Sequence, residues 1–274
     1  MNPAIITALN ERPLISRVMV NCANRLGVKV YASVHNDKDK DVLHTYSNDY
    51  EVITHEANDM ALKFNSALEA AYNNGHTHFI VLGDDDSVSD KVLTDIDHGG
   101  FTRNHFVDTL SGGVGLNDYS KQYPYAKVIG AGRVVSRKAI EDAAHCTMVE
   151  VRRSHSDGYC IFNVGDTLRM RYSTARVFEM MGVVKIKHHE FIGLWPVKTQ
   201  RGMDWRADYR LLRSGYAPTL LDDERVHVSD IKSNVNVWRF DILRKDLTDS
   251  TIADATWFMG DDEKEYVLSL IKHK

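Results

Sequence analysis

Short apolar runs alternate with amphipathic segments along the first third of the chain. Strands are predicted at residues 4–9, 28–34, 50–53 and 78–82, and helices at 13–26 and 59–72. Pro13 fits the first turn of the first helix and Gly27 fits its end. Alternation of this kind is typical of a mainly parallel, twisted sheet with helices on both faces, so the predicted fold class is α/β.

The remainder of the chain has a weaker pattern. A strand is predicted at 127–129, and helices at 136–144, 205–214 and 263–272. Residues 111–124 contain three glycines in no phosphate-binding arrangement and predict a mobile loop, which is either a lid over a site or a plain surface loop. Residues 146–200 have a mixed composition that predicts no particular element.

Composition sets broad limits on the kind of protein. The chain has 274 residues, of which 43% are hydrophobic and 26% charged, which is ordinary for a globular protein. It contains no stretch of about 18 apolar residues, so no membrane span is predicted. No signal peptide is recognisable, and Cys22, Cys146 and Cys160 form no close pair. We therefore expect a cytoplasmic protein with reduced, buried thiols.

Charge is distributed unevenly along the chain. The net charge is −4, yet residues 133–213 hold 15 Lys and Arg against 9 Asp and Glu. An asymmetry of this kind predicts a polyanionic partner. The alternative is that these side chains form scattered, solvated faces.

An apolar run leads directly into three adjacent carboxylates at Asp84, Asp85 and Asp86. Such a run predicts a buried strand that carries dense negative charge to the end of a sheet. Neighbouring carboxylates repel one another unless a cation lies among them, and Mg²⁺ or Mn²⁺ prefers oxygen ligands of this kind. The alternative is an Asp-rich turn that ends the strand.

Three polar clusters follow predicted strands. They are residues 7–12, 35–37 and 84–86. Ligands of parallel α/β sheets bind beyond the carboxyl ends of the strands, so these clusters are expected to meet at one edge of the sheet.

A second group of candidate residues lies late in the chain. Asp204 stands at the start of a predicted helix, where the helix dipole would keep its carboxylate ionised, and it is either a reactive group or a plain N-cap. Asp208 lies one turn later, and His227 follows. Four other histidines could form a zinc site. The last two are adjacent in sequence, so on a strand their rings would point to opposite faces, which disfavours this site. The four are His76, His78, His188 and His189.

The order of these motifs resembles the GT-A-fold glycosyltransferases, in particular the large inverting family 2. The resemblance covers roughly residues 4–228 and rests on motifs that are each weak alone. They are Thr7-Ala8-Leu9-Asn10-Glu11-Arg12, Lys63-Phe64-Asn65, Asp84-Asp85-Asp86, Gly130-Ala131-Gly132-Arg133, Met203-Asp204, Arg210-Leu211-Leu212-Arg213-Ser214-Gly215 and His227.

The resemblance implies a role for each matching residue. Asp84 and Asp86 look like the metal-binding acid pair, with Asp86 in direct contact, and His227 is similar in place to a third metal ligand. Asp204 matches the catalytic base, with Asp208 as the alternative. Donor-binding residues implied by the resemblance, or placed beside it at the same edge, are Thr7, Asn10, Arg12, Asn36, Lys63, Asp84 and Asp85.

The sequence departs from the family at two positions. His35 and Asn36 stand where the family usually has an Asp that holds the uracil, which leaves the donor base open. Met203 replaces the usual Glu before the base.

The activity implied is an inverting transfer of a sugar from a nucleotide-sugar, with UDP as the expected nucleotide and Mn²⁺ or Mg²⁺ as the cofactor. The chain is read as one GT-A-like domain, 1–274. It has a nucleotide-sugar-binding half (1–110), an acceptor half (111–240) and a C-terminal helical tail (241–274).

The acceptor stays open at this point. It is a polyanion such as hydroxymethylated DNA, as with the soluble phage enzymes that modify DNA in the host cytoplasm, or a polysaccharide or lipid-linked glycan. Two other classes also remain: a nucleotidyltransferase, disfavoured because residues 7–13 contain no glycine, and a non-catalytic module that binds nucleotide-sugars.

Overall fold

The computed structural model describes residues 1–55, 59–122, 128–153, 156–163, 184–195, 203–233 and 240–272. The strands are β1 Pro3–Ala8, β2 Lys29–Val34, β3 Tyr50–Thr54, β4 His78–Val81, β5 Asp86–Val88, β6 His98–Gly100, β7 Arg103–Asp108, β8 Val114–Asp118, β9 Arg133–Ser136, β10 His145–Arg153, β11 Ser156–Asn163, β12 Val184–Ile192, β13 Thr219–Leu220, β14 Val228–Lys232 and β15 Thr248–Asp249. The helices are α1 Pro13–Leu26, α2 Asp37–Tyr46, α3 Met60–Asn73, α4 Tyr119–Gln122, α5 Arg137–Ala143, α6 Met203–Arg213, α7 Phe240–Leu243, α8 Ile252–Thr256 and α9 Asp261–Lys272.

Seven strands form the main sheet, in the order β13-β6-β9-β4-β1-β2-β3. Strands β1 to β4 are parallel, and β9 runs antiparallel to both of its neighbours. This sheet has helices on both faces, so the predicted α/β class with a mainly parallel sheet is confirmed. The order is consistent with a Rossmann-like nucleotide-binding fold.

Alternation along β1 divides the core into two layers. Ile6 points into a cluster with residues of α3, α5 and α6, whereas Ile5 points into a cluster with residues of α1 and α2. Successive side chains of a strand face opposite sides, so a strand covered on both faces needs apolar residues at nearly every position. The apolar run at residues 4–9 meets that requirement.

Two local features define helix ends, and the one at Gly27 is as the sequence predicts. The Asp59 side chain accepts from the backbone N–H of Leu62 and caps α3, while Gly27 has φ 64° and ends α1 in the left-handed region. A residue with a Cβ would be strained at that φ, which is why glycine is common after helices.

A second sheet of five strands stands beside the main one, in the order β15-β8-β7-β14-β5. Its core joins Ile15 and Val18 of α1 to Ile231 of β14 and Val267 of α9. The predicted C-terminal helical tail is therefore packed against the first helix. Strands β11, β10 and β12 form a third, antiparallel sheet.

Three sequence-based expectations need correction. Residues 111–124 are not a continuous loop, because β8 and α4 lie within them and β8 pairs with β7. The strand expected at 127–129 lies instead at Arg133–Ser136, where the chain pairs with β4. Helix α2 was not predicted, because half of its ten residues are Asp or Lys and only Asp39, Val42 and Leu43 are buried. Lys127 lies outside the described residues.

Among the described helices, none combines the length and the apolar character needed to cross a membrane.

Candidate functional site

The order of the main sheet reverses at β1. The chain proceeds from β1 outward to β2 and β3, and then returns to place β4 on the other side of β1. The loops that follow β1 and β4 leave the sheet side by side at this point. A crevice at such a reversal is the usual ligand site of an open α/β sheet.

Arg12 joins these two loops. Its guanidinium donates to both oxygens of Asp84, with Nε at 3.1 Å from Oδ2, and its Nη1 lies 3.3 Å from Oδ2 of Asp85. Ser16, on the first turn of α1, also donates to Asp84 at 3.3 Å. The first two acids of the predicted triplet are thereby held by the segment that follows β1.

The third acid of the triplet belongs to the second sheet. Asp86 begins β5, and its register partner on the antiparallel strand β14 is Asp230. Ligand oxygens of Asp85, Asp86 and Asp230 all lie within 4.8 Å of one another. We call these three residues the acidic group. Directly opposed carboxylates destabilise a strand pair unless something neutralises them.

Burial and mutual repulsion shift the protonation of the acidic group. Burial, together with the charges of Asp230 and Asp85, raises the pKa of Asp86 well above its ordinary value. Burial also raises the pKa of Asp230 to about 7, although Lys232 acts in the opposite direction. Burial works to raise the pKa of Asp85 as well, but Lys232 and Arg12 outweigh it and leave that pKa lowered.

The acidic group suits a hard divalent cation. Carboxylate oxygens are the ligands that Mg²⁺ and Mn²⁺ prefer. Oδ1 of Asp230 is out of contact with solvent and receives no hydrogen bond from the part of the chain that the structure describes. A buried acceptor without a donor is costly, and a metal ion would satisfy it.

The predicted donor-binding residues lie at the ends of β1, β2 and β4 and on α3. Thr7, at the end of β1, is fully buried, and among the described residues its hydroxyl has no hydrogen-bond partner. Asn10 is half-buried in the following loop. Lys63 of α3 is fully buried and donates to the carbonyl of Leu9 at 3.1 Å, and burial lowers its pKa despite the nearby Asp39 and Asp84.

Asn36 has a local structural role. Its side-chain oxygen accepts from the backbone N–H of Asp39 at 3.0 Å and caps α2. The Asp39 carboxylate in turn accepts from the backbone N–H of Glu11, which has φ 59°. The helix that the sequence pattern missed therefore shapes the loop after β1.

His227 is placed apart from the acidic group. Its ring nitrogens contact Ser89 at 2.9 Å and Asp223 at 2.8 Å, and its ring stacks on Phe101. The sequence suggested Asp84 and His227 as the metal ligands beside Asp86. In the structure, the acids that lie close to Asp86 are Asp85 and Asp230. The assignment of metal ligands itself stays a prediction.

The two candidates for the catalytic base have different surroundings. Asp204 is the second residue of α6, and its side chain lies outside the described residues. Asp208 is buried, and its carboxylate contacts Arg133 at 3.0 Å and His98 at 3.3 Å. These contacts tie α6 to β9 and β6, and they leave Asp208 little access to a substrate.

The weaker sequence signals fall elsewhere. His76 contacts the hydroxyl of Tyr31 at 3.0 Å, while His78 contacts Asp95, so these two histidines have separate partners. The side chains of His188 and His189 lie outside the described residues, as do those of the basic residues in β10 to β12. Cys22 is free and buried, as expected of a reduced thiol.

Sequence reasoning missed Asp230 and Lys232. Both belong to an alternating stretch, Val228-Ser229-Asp230-Ile231-Lys232, that resembles an ordinary half-exposed strand. The only local signal is an acid and a base spaced two apart on one face. Their importance follows from the pairing of β14 with β5, which joins distant parts of the chain.

The sequence has little similarity to known proteins. No protein-family model matches the sequence, and no curated protein matches it. The chain is similar to a solved structure described as the inositol-1-phosphate CTP transferase from T. maritima, with 11% identity and a TM-score of 0.33 over 100% of this chain and 97% of that one. At that TM-score, the likeness carries no inference about what this chain binds.

Proposed function

We propose that this protein is a divalent-cation-dependent transferase that acts on a nucleotide substrate. The observation that carries the proposal is the meeting of Arg12 with Asp84 and Asp85 at the reversal of the sheet, beside the acidic group. Phosphate groups need cations, and this crevice combines basic side chains with a cluster of carboxylates suited to a metal ion.

Asp85, Asp86 and Asp230 would hold the cation. When bound, it would neutralise charge on the nucleotide phosphates and on the leaving group. Arg12 and Lys63 would contribute fixed positive charge on the β1 side of the crevice. Burial of these groups strengthens their electrostatic interactions relative to those in water.

Glycosyl transfer is the first candidate reaction. Its support is the order of motifs in the sequence and the place of Asp204 in the first turn of α6. In this reaction Asp204 would accept the proton of an acceptor hydroxyl as that oxygen attacks the anomeric carbon, and a nucleoside diphosphate would leave. A polyanionic acceptor, DNA included, remains a prediction from charge alone.

Nucleotidyl transfer is the second candidate, and a specific observation favours it. The sequence disfavoured it because residues 7–13 contain no glycine. In the structure, Glu11 takes φ 59°, the left-handed conformation that glycine usually supplies. The loop after β1 therefore reaches the left-handed conformation at one position without glycine, which is compatible with a phosphate-binding turn.

Thermal unfolding with UDP, GDP, CDP and ADP, each with and without Mn²⁺, tests the proposal. A ligand at about 100 times its Kd adds roughly 2.7 kcal/mol, which is several degrees for a chain of this size. A shift that needs both one nucleotide and Mn²⁺ is expected. No shift with any combination, in a folded sample, would contradict the proposal and favour a module without this activity.

The leaving group separates the two reactions. Incubation with a nucleotide-sugar and Mn²⁺ should release a nucleoside diphosphate if the protein transfers sugar. Incubation with a nucleoside triphosphate and a sugar phosphate should release pyrophosphate if it transfers nucleotides. The Asp86→Asn variant is the matched control in both assays, because it keeps the shape of the side chain and removes the charge.

A further inference from the structure

Lys232 lies against the acidic group. It follows Asp230 by two residues on β14, so both side chains lie on the same face of the strand. Its Nζ is 2.5 Å from Oδ2 of Asp230 and 3.9 Å from Oδ2 of Asp85. The ammonium therefore contacts two of the three carboxylates that would hold a metal ion.

The carboxylates at this point outnumber the cationic side chains that contact them. Four carboxylates, those of Asp84 and the acidic group, face the two positive charges of Arg12 and Lys232. When all four acids are ionised, two negative charges remain, which equals the charge of one Mg²⁺ or Mn²⁺. The buried Oδ1 of Asp230, which receives no hydrogen bond from the described residues, leaves an acceptor for that ion after Lys232 has bound Oδ2.

A metal ion and the Lys232 ammonium would repel each other at these carboxylates. Two like charges a few ångströms apart at a buried site repel each other more strongly than they would in water. Lysine has a flexible stem and a compact charge, so it changes partners more readily than arginine does. The ammonium also lies 4.9 Å from the ring centroid of Phe106, which offers an additional favourable contact.

We propose that Lys232 exchanges partners during binding. It pairs with Asp85 and Asp230 in the free protein, and with a phosphate group of the nucleotide once a divalent cation occupies the acidic group. This inference rests on the proposed function. It makes metal and nucleotide binding mutually reinforcing, because each ligand favours the state in which Lys232 has left the carboxylates, and such coupling is reciprocal.

The exchange is tested by titrating Mn²⁺ into wild type and Lys232→Met, with free Mn²⁺ followed by electron paramagnetic resonance. Without nucleotide, Lys232→Met should bind Mn²⁺ about tenfold more tightly, because the competing ammonium is gone. With UDP, GDP, CDP or ADP present, the affinity of the wild type for Mn²⁺ should rise and that of Lys232→Met should rise much less. Lys232→Gln serves if Lys232→Met does not fold.

Lys29→Met is the matched control, since Lys29 pairs with Glu51 at 3.4 Å on the main sheet. It should bind Mn²⁺ as the wild type does. Unchanged or weaker Mn²⁺ binding by Lys232→Met overturns the exchange, and so does the absence of Mn²⁺ binding in both proteins. If nucleotide raises the Mn²⁺ affinity equally in wild type and Lys232→Met, the exchange is overturned but the proposed function is not. Failure of every nucleotide to bind either protein overturns the proposed function as well.

Discussion

The Arg12 guanidinium donates hydrogen bonds to both oxygens of Asp84, at the point where the strand order of the main sheet reverses. The two residues are 72 positions apart, and their side chains are 14% and 3% exposed. Because the pair is largely removed from water, loss of Arg12 leaves the Asp84 carboxylate poorly solvated and without this ionic partner.

The Arg12→Ala variant should be less stable than the wild type. Removal of one partner from a buried pair costs about 3 kcal/mol, which lowers the Tm by roughly 6–12 °C. Mn²⁺ should restore part of this loss, since a cation at the acidic group also neutralises nearby carboxylates. Differential scanning calorimetry with and without Mn²⁺ measures both effects, and an unchanged Tm would show that the pair contributes nothing.

The Asp86→Asn variant should lose stabilisation by Mn²⁺ without losing its fold. Because burial and neighbouring acids raise the pKa of Asp86, its charge opposes folding in the absence of metal. The metal-free variant is therefore expected to unfold at the same temperature as the wild type or higher. A large fall in Tm without metal would mean that the Asp86 carboxylate is a structural group.

Stability without metal should depend on pH through Asp230. Its pKa is raised from about 4 to about 7 on folding, so the folded protein binds the proton more tightly than the unfolded chain. The resulting stabilisation is complete below about pH 4 and is lost as the pH rises through about 7. Chemical unfolding at pH 5 and pH 8 should show a smaller fall in the free energy of unfolding for Asp230→Asn than for wild type. An equal fall in both would contradict the assignment.

Asp204 and Asp208 should respond differently to substitution by Asn. Asp208→Asn weakens buried contacts with Arg133 and His98 and should lower the Tm by several degrees. Asp204→Asn should leave both the Tm and nucleotide binding unchanged while it abolishes transfer. The reverse result, a stable but inactive Asp208→Asn and an active Asp204→Asn, would make Asp208 the base.

The sequence predicts the crevice better than it predicts the acidic group. The strand–helix alternation of residues 4–86 is local, and it brings the segments after β1 and β4 to one edge of the sheet. Asp84 and Arg12 are therefore close on topological grounds alone. Asp230 depends on the pairing of β14 with β5, and nothing local in residues 228–232 specifies that partner.

Helix α2 shows a different limit of sequence reasoning. Its segment 37–46 is dominated by charged residues, so no apolar period marks it. The Asn36 cap and the burial of Asp39 under the loop after β1 hold it in place. These are contacts between side chains and a distant backbone, which hydrophobic patterning does not report.

Helix α9 makes contacts that can form only late in the synthesis of the chain. Glu263 of α9 is 2% exposed and contacts both Arg25 of α1 and Ser87, the neighbour of Asp86. Roughly 140 residues separate Asp86 from Asp230. A ribosome that adds about 5–20 residues per second therefore needs on the order of ten to thirty seconds to reach Asp230 after Asp86. A nascent chain carries its aspartate triplet for that whole interval, with β5 unpaired and α1 lacking its cover. We therefore expect the acidic group to form only after β14 has been synthesised, and the cover over α1 only after α9 has been synthesised.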